Sequence, residues 1–542
     1  MTTILGVGGF FHDFNAGVIT IDEQNEVQLF AAEEERYSRK KHHTIMGAKS
    51  SSISSIEKCL RDAGKKNSDV DFLIFSDTEI HPLKSFISDL FPRAEVHHVP
   101  HHVCHAAAAF YSYGMADAAI LCLDGFGDGK SGLLAHGKGN EIDSLFFPSI
   151  EDSIGLEYLR VTYQIGLGSF GAEGKTQGLA AYGEPTFYEA YMNEITLNAD
   201  EFITLSDRLK KMEGYLAGEH YIETRSLFND FLLQNINRRF NDEPILKEHM
   251  DMAASIQKVL NDVGLHAARS IKKLTGSRTL VLTGGVALNS TMNGILLKSG
   301  LFDEVVAHPS ASDRGNGPGA ALYFLTNELN IDSPLGNPLI YGGESFSDRE
   351  IEDVLQKKGT NYQRVDHPSQ VAAEYIVENK IVGWFQGRSE LGARALGNRS
   401  ILANPRFADN KDILNAKVKH REYFRPFAPA VLAEKAGEYF DTAVELPHMT
   451  MTVDVVEHKR SEIPVATHED GTARIQTVNR EQNPRFYEVL EAFDKLTGTP
   501  VIINTSFNDN LEPIVESPDD ALKCFYNTGM EVLVMGDFVV VK

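Results

Sequence analysis

Cysteine is scarce in this sequence, long apolar runs are absent, and basic residues are outnumbered by acidic ones. Four cysteines in 542 residues, with no C-x-x-C pair, indicate a reducing compartment and no disulfide framework. No apolar run approaches the roughly 20 residues that span a bilayer, and the N-terminus lacks the basic region of a signal peptide. A net charge of −24 disfavours binding to nucleic acid or to anionic membranes. These absences predict an acidic, soluble, cytoplasmic protein.

The order of apolar and helical stretches predicts an α/β protein. Short runs rich in Val and Ile alternate with helical patterns, and the series strand, glycine turn, strand occurs at TILGVGG and again at AILCLDGFGDG. This repetition indicates a duplicated nucleotide-binding fold whose second half carries a long insertion between about 140 and 250. The Pro, Gly and Ser content of residues 333–347 indicates a linker, so we expect domains at 1–335 and 345–542.

A candidate metal site begins in the stretch HHVCHAAAAF. Residues four apart lie on one helix face, so His101 and His105 could reach one ion, although such a pair is often only polarity on a helix surface. Asp124 at the end of an apolar strand and Asp313 before a helix would complete a mixed nitrogen and oxygen set suited to Fe(II), Mn(II), Zn(II) or Mg(II). His102 and Cys104 are competing ligands that spacing does not exclude. There is no H-E-x-x-H motif.

Glycine turns at strand ends indicate a phosphate-binding cleft. Backbone N–H groups in GVGGFFHD (6–13), DGFGDG (124–129) and TGGVALN (283–289) could cradle phosphate oxygens, although such turns are common. No P-loop or dinucleotide motif is present. We interpret EGKTQGLAAYG (173–183) as a Gly-rich loop whose lysine contacts phosphate or lies on the surface. The candidate nucleotide-binding residues are Gly125, Gly127, Lys175, Gly284, Gly285 and Asn289.

The expected second domain contains a concentration of positive charge. Residues 388–425 hold nine Arg or Lys and four Asp or Glu, a local charge of +5 in a protein of net charge −24. Arginine binds phosphate through a planar fork, and INTSFNDN (503–510) adds amides and hydroxyls after an apolar strand. These residues predict a site for a small anion, with a salt-bridged structural network as the alternative. Its candidate residues are Arg388, Arg394, Lys419, Arg425, Asn504 and Ser506.

These motifs together resemble a known family. GVGGFFHD, HHVCHAAAAF, LDGFGDG, EGKTQGLAAYG, GGVALNSTMNG, PSASDRGN, GWFQGRSELGARALGNRS, VKHREYFRPFAP, THEDGTARIQTV and TGTPVIINTSFN occur in order along almost the whole chain. On these motifs the chain resembles the O-carbamoyltransferases of antibiotic and nodulation-factor biosynthesis. It departs from the usual pattern in GARALGN, where GPRALGN is usual, and in ALNSTMNG, where a cysteine often follows the Asn. The region at about 185–250 matches nothing known and leaves the acceptor open.

The resemblance implies both a fold and a reaction. The fold would be an actin/Hsp70/sugar-kinase-like duplicated domain of the threonylcarbamoyl-transferase type, followed by an α/β domain like the threonylcarbamoyl-adenylate synthases. The second domain would convert carbamoyl phosphate and Mg²⁺-bound ATP to carbamoyl adenylate, which passes internally to the first domain. The first domain would carbamoylate a hydroxyl of a small natural-product acceptor.

The resemblance also implies roles for individual residues. The metal, typically Fe(II), would be held by His101, His105, Asp124 and Asp313, with His102 and Cys104 as bystanders. Carbamoyl phosphate would bind Lys419, Arg425, Arg474 and Ser506, of which Lys419 and Arg425 would take part in catalysis. From the residues themselves, His12 beside the first glycine turn is a candidate general base, since imidazole titrates near neutral pH. The alternative is that His12 only orders the turn.

Three other functions remain as alternatives. A sugar-kinase-like phosphotransferase would transfer the γ-phosphate of ATP to its acceptor. A non-haem iron oxygenase could use two histidines and a carboxylate, but the glycine turns and the arginines would then have no role. A nucleotide-dependent binding protein of the Hsp70 type would hydrolyse ATP without carbamoyl phosphate. The sequence leaves the metal and the oligomeric state open, with a homodimer among the options.

Overall fold

The computed structural model describes residues 1–43, 53–78, 82–198, 202–210, 229–240, 243–333 and 335–542. Residues 199–201, 211–228 and 241–242, which fall in the region expected to bind the acceptor, therefore lie outside the described residues. The chain divides into two compact units. The first unit contains Met1–Phe30 and Ile56–Pro338, and the second contains Ala31–His43, Ile53–Ser55 and Leu339–Lys542. The assignment of residues 31–43 to the second unit has no counterpart in the sequence pattern.

The chain first forms a five-stranded sheet in the order β3-β2-β1-β4-β5. The strand β1 pairs antiparallel with β2 and parallel with β4, which pairs parallel with β5. The elements are β1 (Thr2–Gly8), β2 (Asn15–Ile21), β3 (Val27–Glu33), α1 (Glu34–Ser38), α2 (Ser54–Asp62), β4 (Phe72–Phe75), α3 (Pro82–Leu90), β5 (Glu95–His98) and α4 (His101–Tyr113).

The next part of the first unit repeats this topology in a sheet of order β12-β11-β6-β7-β8. The elements are β6 (Asp117–Gly127), β7 (Lys130–Lys138), β8 (Glu141–Phe146), α5 (Ile154–Gln164), α6 (Glu173–Ala180), α7 (Tyr188–Met192), β9 (Ile195–Leu197), β10 (Ile203–Leu205), α8 (Asp207–Lys210), α9 (Asp230–Asn235), α10 (Lys247–Thr275), β11 (Thr279–Thr283), α11 (Ser290–Lys298), β12 (Glu304–Ala307) and α12 (Asn316–Tyr323). Here β6 pairs antiparallel with β7 and parallel with β11, as β1 does with β2 and β4. The predicted duplication, of the actin/Hsp70/sugar-kinase type, is confirmed by this strand order.

An apolar core in the first unit fixes the helix that carries the two histidines. Small side chains dominate α4, which packs against α12 within a cluster of buried residues from both sheets. The two helices approach closely because Gly319 has no side chain, since a Cβ there would lie 2.1 Å from the carbonyl oxygen of Cys104. A helix buried in this way cannot rotate about its axis, so its first turn has a fixed orientation.

The second unit contains an eight-stranded mixed sheet in the order β13-β22-β21-β14-β15-β20-β16-β19. Its elements are α13 (Asp348–Lys357), β13 (Gln363–Arg364), α14 (Pro368–Val377), β14 (Val382–Phe385), β15 (Arg399–Ala403), α15 (Asn410–Ile413), β16 (Ala428–Leu432), α16 (Ala436–Tyr439), β17 (Thr452–Asp454), β18 (Thr472–Arg474), β19 (Gln476–Val478), α17 (Pro484–Thr497), β20 (Val501–Ser506), α18 (Pro518–Asn527), β21 (Val532–Met535) and β22 (Phe538–Val541). The helices α14 and α17 pack together over its apolar core. Both units are α/β, as predicted. Among the described helices, none is long and apolar enough to cross a membrane.

Candidate metal centre and anion pocket

Four buried side chains of the first unit converge where α4 begins. His101 and His105 lie one turn apart on α4, with their Nε2 atoms 3.1 Å from each other. Asp124 lies where the regular pairing of β6 with β7 stops, and Asp313 begins the 3-10 turn before α12. The candidate ligand atoms of all four residues lie within 4.8 Å of one another. The residues predicted from the sequence therefore form one cluster.

The imidazole nitrogens and carboxylate oxygens of this cluster lie 3.3–3.7 Å apart. Nε2 of His101 lies 3.3 Å from Oδ2 of Asp124 and 3.4 Å from Oδ1 of Asp313. Nε2 of His105 lies 3.7 Å and 3.4 Å from the same two oxygens. The amide of Asn316 lies 3.4 Å from both imidazoles. Two nitrogens and two carboxylate oxygens thus face a common point, as the ligands of one ion do.

The electrostatics of the cluster fit a divalent cation. Burial lowers the pKa of the His101 imidazole, but the two carboxylates outweigh burial and raise it well above its ordinary value. Burial raises the pKa of Asp124, but its three histidine neighbours outweigh burial and hold that pKa well below its usual range. The other carboxylate oxygen of Asp124, Oδ1, accepts a hydrogen bond from the backbone N–H of Gly285 at 2.9 Å, whereas Oδ2 makes none. A buried anionic oxygen without a donor is suited to a metal ion.

His12 lies beside the cluster. Its Nδ1 is 3.1 Å from Oδ2 of Asp13, its Nε2 is 3.5 Å from Oδ2 of Asp313, and its ring lies 4.2 Å from that of Phe170. Burial lowers the pKa of His12, but Asp313 and Asp13 outweigh burial and raise it to about 9. His12 therefore contacts the second carboxylate of the candidate metal centre.

The two competing ligands of α4 have different surroundings. Nε2 of His102 lies 3.4 Å from Oδ2 of Asp124, and burial lowers the pKa of this imidazole to about 4. The thiol of Cys104 instead donates to the carbonyl oxygen of Val99 at 3.6 Å. His102 thus touches a candidate ligand, whereas Cys104 is engaged by the backbone.

The residues predicted to bind nucleotide do not all lie in glycine turns. Lys175 is in the first turn of α6, so the expected Gly-rich loop is wrong. Packing of α6 against α10 stabilises the helix despite the weak helix propensity of its two glycines. Asn289 caps α11 by accepting a hydrogen bond from the backbone N–H of Met292 at 3.0 Å. Gly125 and Gly127 flank Phe126 at the end of β6, and Gly284 and Gly285 follow β11.

In the second unit, cationic side chains cluster around Lys419. This residue is buried, and its Nζ donates to the carbonyl oxygens of Ser506 and Asn508, each at 2.8 Å. Burial lowers the pKa of Lys419 well below its ordinary value, and nearby cations such as Arg421 lower it further. The cluster is therefore a pocket rich in buried cations, in which Glu422 lies 3.6 Å from Arg425.

Arg474 and Arg425 belong to the same pocket. Burial lowers the pKa of the Arg474 guanidinium well below its ordinary value, and Arg394, Arg421 and Arg425 lower it further. Nε of Arg474 is buried without a hydrogen bond. Burial also lowers the pKa of Arg425. Mutual repulsion of this kind is relieved when an anion binds among the cations.

The other predicted anion ligands have varied surroundings. Asn504 is fully buried and donates to Oε1 of Gln476 at 2.8 Å. The hydroxyl of Ser506 donates to Oδ1 of Asn508 at 2.6 Å. Arg388 instead donates to the carbonyl oxygen of Gly342 at 3.2 Å. The pocket thus includes Ser506 beside Lys419, whereas Arg388 contacts the predicted linker.

A buried carboxylate organises the loop that carries Arg394. Oε1 of Glu390 accepts hydrogen bonds from the backbone N–H groups of Leu396, Asn398 and Arg399 at 2.7, 2.8 and 3.2 Å. The loop is therefore wrapped around this side chain. We did not single out Glu390 from the sequence, although an acidic residue inside the basic motif GRSELGARALGN is a signal that could have identified it.

Two residues from α1 and its N-terminal flank also hold this loop. Arg36 donates to the carbonyl oxygens of Glu390 and Gly392 at 3.3 and 2.8 Å, and Glu33 accepts from the backbone N–H of Gly392. These contacts lie within the second unit, because residues 31–43 belong to it. Sequence reasoning missed them, and also missed Arg421, whose signal was its position in the same HREYFRPF motif as Arg425.

Comparison with known proteins gives matches along most of the chain. The family model described as carbamoyltransferase N-terminus matches residues 3–88 and 88–322, and the model described as carbamoyltransferase C-terminus matches residues 373–542. Nodulation protein NolNO of Sinorhizobium fredii is 39% identical over 98% of this chain and 79% of its own length. Nodulation protein NolO of Bradyrhizobium diazoefficiens is 40% identical over 82% of this chain and 78% of its own.

The chain is also similar to a solved structure. Component A of the (R)-2-hydroxyglutaryl-CoA dehydratase of Acidaminococcus fermentans is 15% identical, with 60% of this chain and 97% of that chain covered and a TM-score of 0.35. This likeness adds nothing to the strand order described above.

Proposed function

This chain belongs to the carbamoyltransferase family, and we propose that it is an ATP-dependent O-carbamoyltransferase that works through carbamoyl adenylate. In this proposal the second unit adenylates and the first unit transfers the carbamoyl group to a hydroxyl of a small natural-product acceptor. The observation that carries the proposal is the pocket of cations around Lys419, in a protein of net charge −24. Positive charge at this density is stabilised by an anionic substrate.

For adenylation, the pocket would hold the phosphate groups of carbamoyl phosphate and of Mg²⁺-bound ATP. Arginine binds phosphate oxygens bidentately, and the ammonium group of Lys419 adds a point charge. Atom balance requires that pyrophosphate leaves ATP, that orthophosphate leaves carbamoyl phosphate, and that one water is consumed. Cations fixed in a buried pocket stabilise the charge that shifts onto the leaving groups.

For transfer, His101, His105, Asp124 and Asp313 would hold a divalent metal, with Fe(II) as the first candidate. A bound metal supplies a Lewis acid that polarises the carbonyl or the adenylate phosphate. His12 would take the proton of the acceptor hydroxyl as that oxygen attacks the carbamoyl carbon and AMP leaves. Because Asp313 both raises the pKa of His12 and belongs to the proposed ligand set, a cation at Asp313 would favour the neutral imidazole that a base requires.

The assignment of adenylation to the second unit and of carbamoyl transfer to the first unit is tested by measuring the two half-reactions separately. We expect His12→Ala to keep the carbamoyl-phosphate-dependent exchange of labelled pyrophosphate into ATP but to lose transfer of ¹⁴C-carbamoyl to a panel of sugar and amino-sugar alcohols. Lys419→Met should lose the exchange itself. The matched controls are His136→Ala and Lys523→Met, whose side chains pair with Asp117 and Glu512 outside both sites.

Two outcomes would contradict this scheme. Loss of both half-reactions in His12→Ala would remove the assignment of His12 to transfer alone. Transfer of the γ-phosphate of ATP to an acceptor, with ADP as the product, would favour the sugar-kinase-like alternative and leave the cation pocket without its proposed substrate.

A further inference from the structure

The end of β6 and the turn that follows it contact α4, the helix that carries two candidate metal ligands, at more than one position. Regular pairing of the two strands stops at Leu123 and resumes at Gly127, which faces Lys130. Asp124 from this segment is a candidate metal ligand. Two further residues of the same segment, Gly127 and Asp128, lie against His101 at the start of α4.

Asp128 caps α4 from outside the helix. The N-cap position of α4 is Pro100, whose side chain has no acceptor for the free N–H groups of the first turn. Oδ2 of Asp128 accepts a hydrogen bond from the backbone N–H of His101 at 2.8 Å, and Oδ1 accepts from that of Thr78 at 3.0 Å. One carboxylate thus joins the start of α4 to the chain that follows β4. A negative charge at this end of a helix is also favourable.

The backbone of Asp128 supports a specific role for its side chain. Its φ is 48°, in the left-handed region that favours glycine. Glycine would occupy this position with less strain, and Gly129 next to it already has a φ of 71°. Asp128 therefore occupies a strained backbone conformation at the position where its carboxylate reaches α4, which supports a specific role for that carboxylate.

Gly127 supplies the surface on which the imidazole of His101 lies. A Cβ at position 127 would be 2.3 Å from Cδ2 and 2.8 Å from Nε2 of His101. No side chain fits there unless the ring moves, and the ring cannot move without displacing Nε2 from Asp124 and Asp313. The absence of a side chain at Gly127 therefore fixes where the first ligand can lie.

We propose that Gly127 and Asp128 are positioning residues of the metal centre. Gly127 fixes the position of the His101 ring, and Asp128 fixes the position of the His101 backbone. The inference rests on the metal role proposed above. It assigns to DGFGDG a function that the sequence pattern, with its indication of phosphate binding, did not predict. The segment from Asp124 to Asp128 thus supplies one candidate ligand, a surface against which the ring of a second candidate ligand packs, and a cap for the helix that carries two candidate ligands.

The test measures metal affinity, with Zn²⁺ as the probe in competition with a chromophoric chelator. We expect Gly127→Ala to weaken Zn²⁺ binding about 10–100-fold, as loss of groups that orient a ligand typically does. Gly336→Ala is the control in the same unit, since a Cβ there would meet nothing within 4 Å, and its affinity should stay within about twofold of the wild type. Asp128→Ala should lose affinity, and Asp128→Asn, which keeps an acceptor for the N–H of His101, should recover most of the loss.

Three results of these Zn²⁺ measurements would overturn the positioning roles of Gly127 and Asp128. Zn²⁺ affinities of Gly127→Ala and Asp128→Ala equal to that of the wild type would overturn it. If Gly127→Ala does not fold, the comparison of Asp128→Ala with Asp128→Asn decides, because equal losses in both would exclude a capping role. Wild-type protein that binds no Zn²⁺, or binds it unchanged after His101→Ala, would overturn the proposed metal role together with this inference.

Discussion

Substitution of Glu390 tests whether its carboxylate holds the loop that carries Arg394 beside the proposed anion pocket. Its carboxylate is fully buried and accepts three backbone hydrogen bonds from the loop that carries Arg394. In Glu390→Ala three buried N–H groups lose their acceptor at about 1–3 kcal/mol each, and with loop relaxation and entering water we expect a total of about 3–5 kcal/mol. Glu390→Gln keeps an acceptor oxygen and loses the charge, so its cost should be about 1–3 kcal/mol.

Two assays test this prediction, one of stability and one of substrate binding. Urea unfolding gives the change in the free energy of unfolding, with Glu469→Gln as an exposed control from the second unit that should stay within about 0.5 kcal/mol of the wild type. Carbamoyl-phosphate-dependent pyrophosphate exchange gives the KM for carbamoyl phosphate. Displacement of Arg394 should remove a contact worth about 1.5–3 kcal/mol, which raises KM about 10–100-fold.

The reasoning would be refuted in either of two ways. Equal unfolding free energies for Glu390→Ala and wild type would mean that the three hydrogen bonds do not organise the loop. A destabilised Glu390→Ala variant with an unchanged KM would mean that the loop is structural and that Arg394 is not part of the substrate pocket.

The remaining predictions concern the charges of the second unit. Arg474→Met should raise the free energy of unfolding of the unliganded protein by about 1–3 kcal/mol, because it removes a repelled cation, while weakening carbamoyl phosphate binding; lower stability would contradict this. Burial lowers the pKa of Lys419, and anion binding favours its ammonium form. The rise in Tm that sulfate causes should therefore shrink as pH rises through that lowered pKa, and a rise in Tm that does not depend on pH would oppose this prediction. Arg36→Met should raise the KM for carbamoyl phosphate, whereas Arg480→Met, at an exposed position, should not; equal kinetics would exclude Arg36 from holding the loop.

The cluster of four candidate metal ligands could be predicted because its residues are placed by local structure. His101 and His105 are one helical turn apart, and Asp124 and Asp313 lie at the ends of elements whose apolar pattern identifies them. The duplicated topology brings these element ends together in the first unit. Resemblance to a family then selected these four residues over His102 and Cys104.

The positioning contacts could not be predicted because they join residues distant in sequence. The cap that Asp128 provides to α4 and the contact of Arg36 with Gly392 depend on packing that no local pattern encodes. The helix containing Lys175 was missed for the same reason, since its stability comes from α10. Local propensity is overridden where a weak helix has a strong packing partner.

The most direct test of the central claim is phosphorus NMR of the purified protein with ATP and Mg²⁺, recorded with and without carbamoyl phosphate. We predict AMP and pyrophosphate only when carbamoyl phosphate is present. Formation of ADP whether or not carbamoyl phosphate is added would contradict the account, because ATP would then lose its γ-phosphate and no adenylate would form.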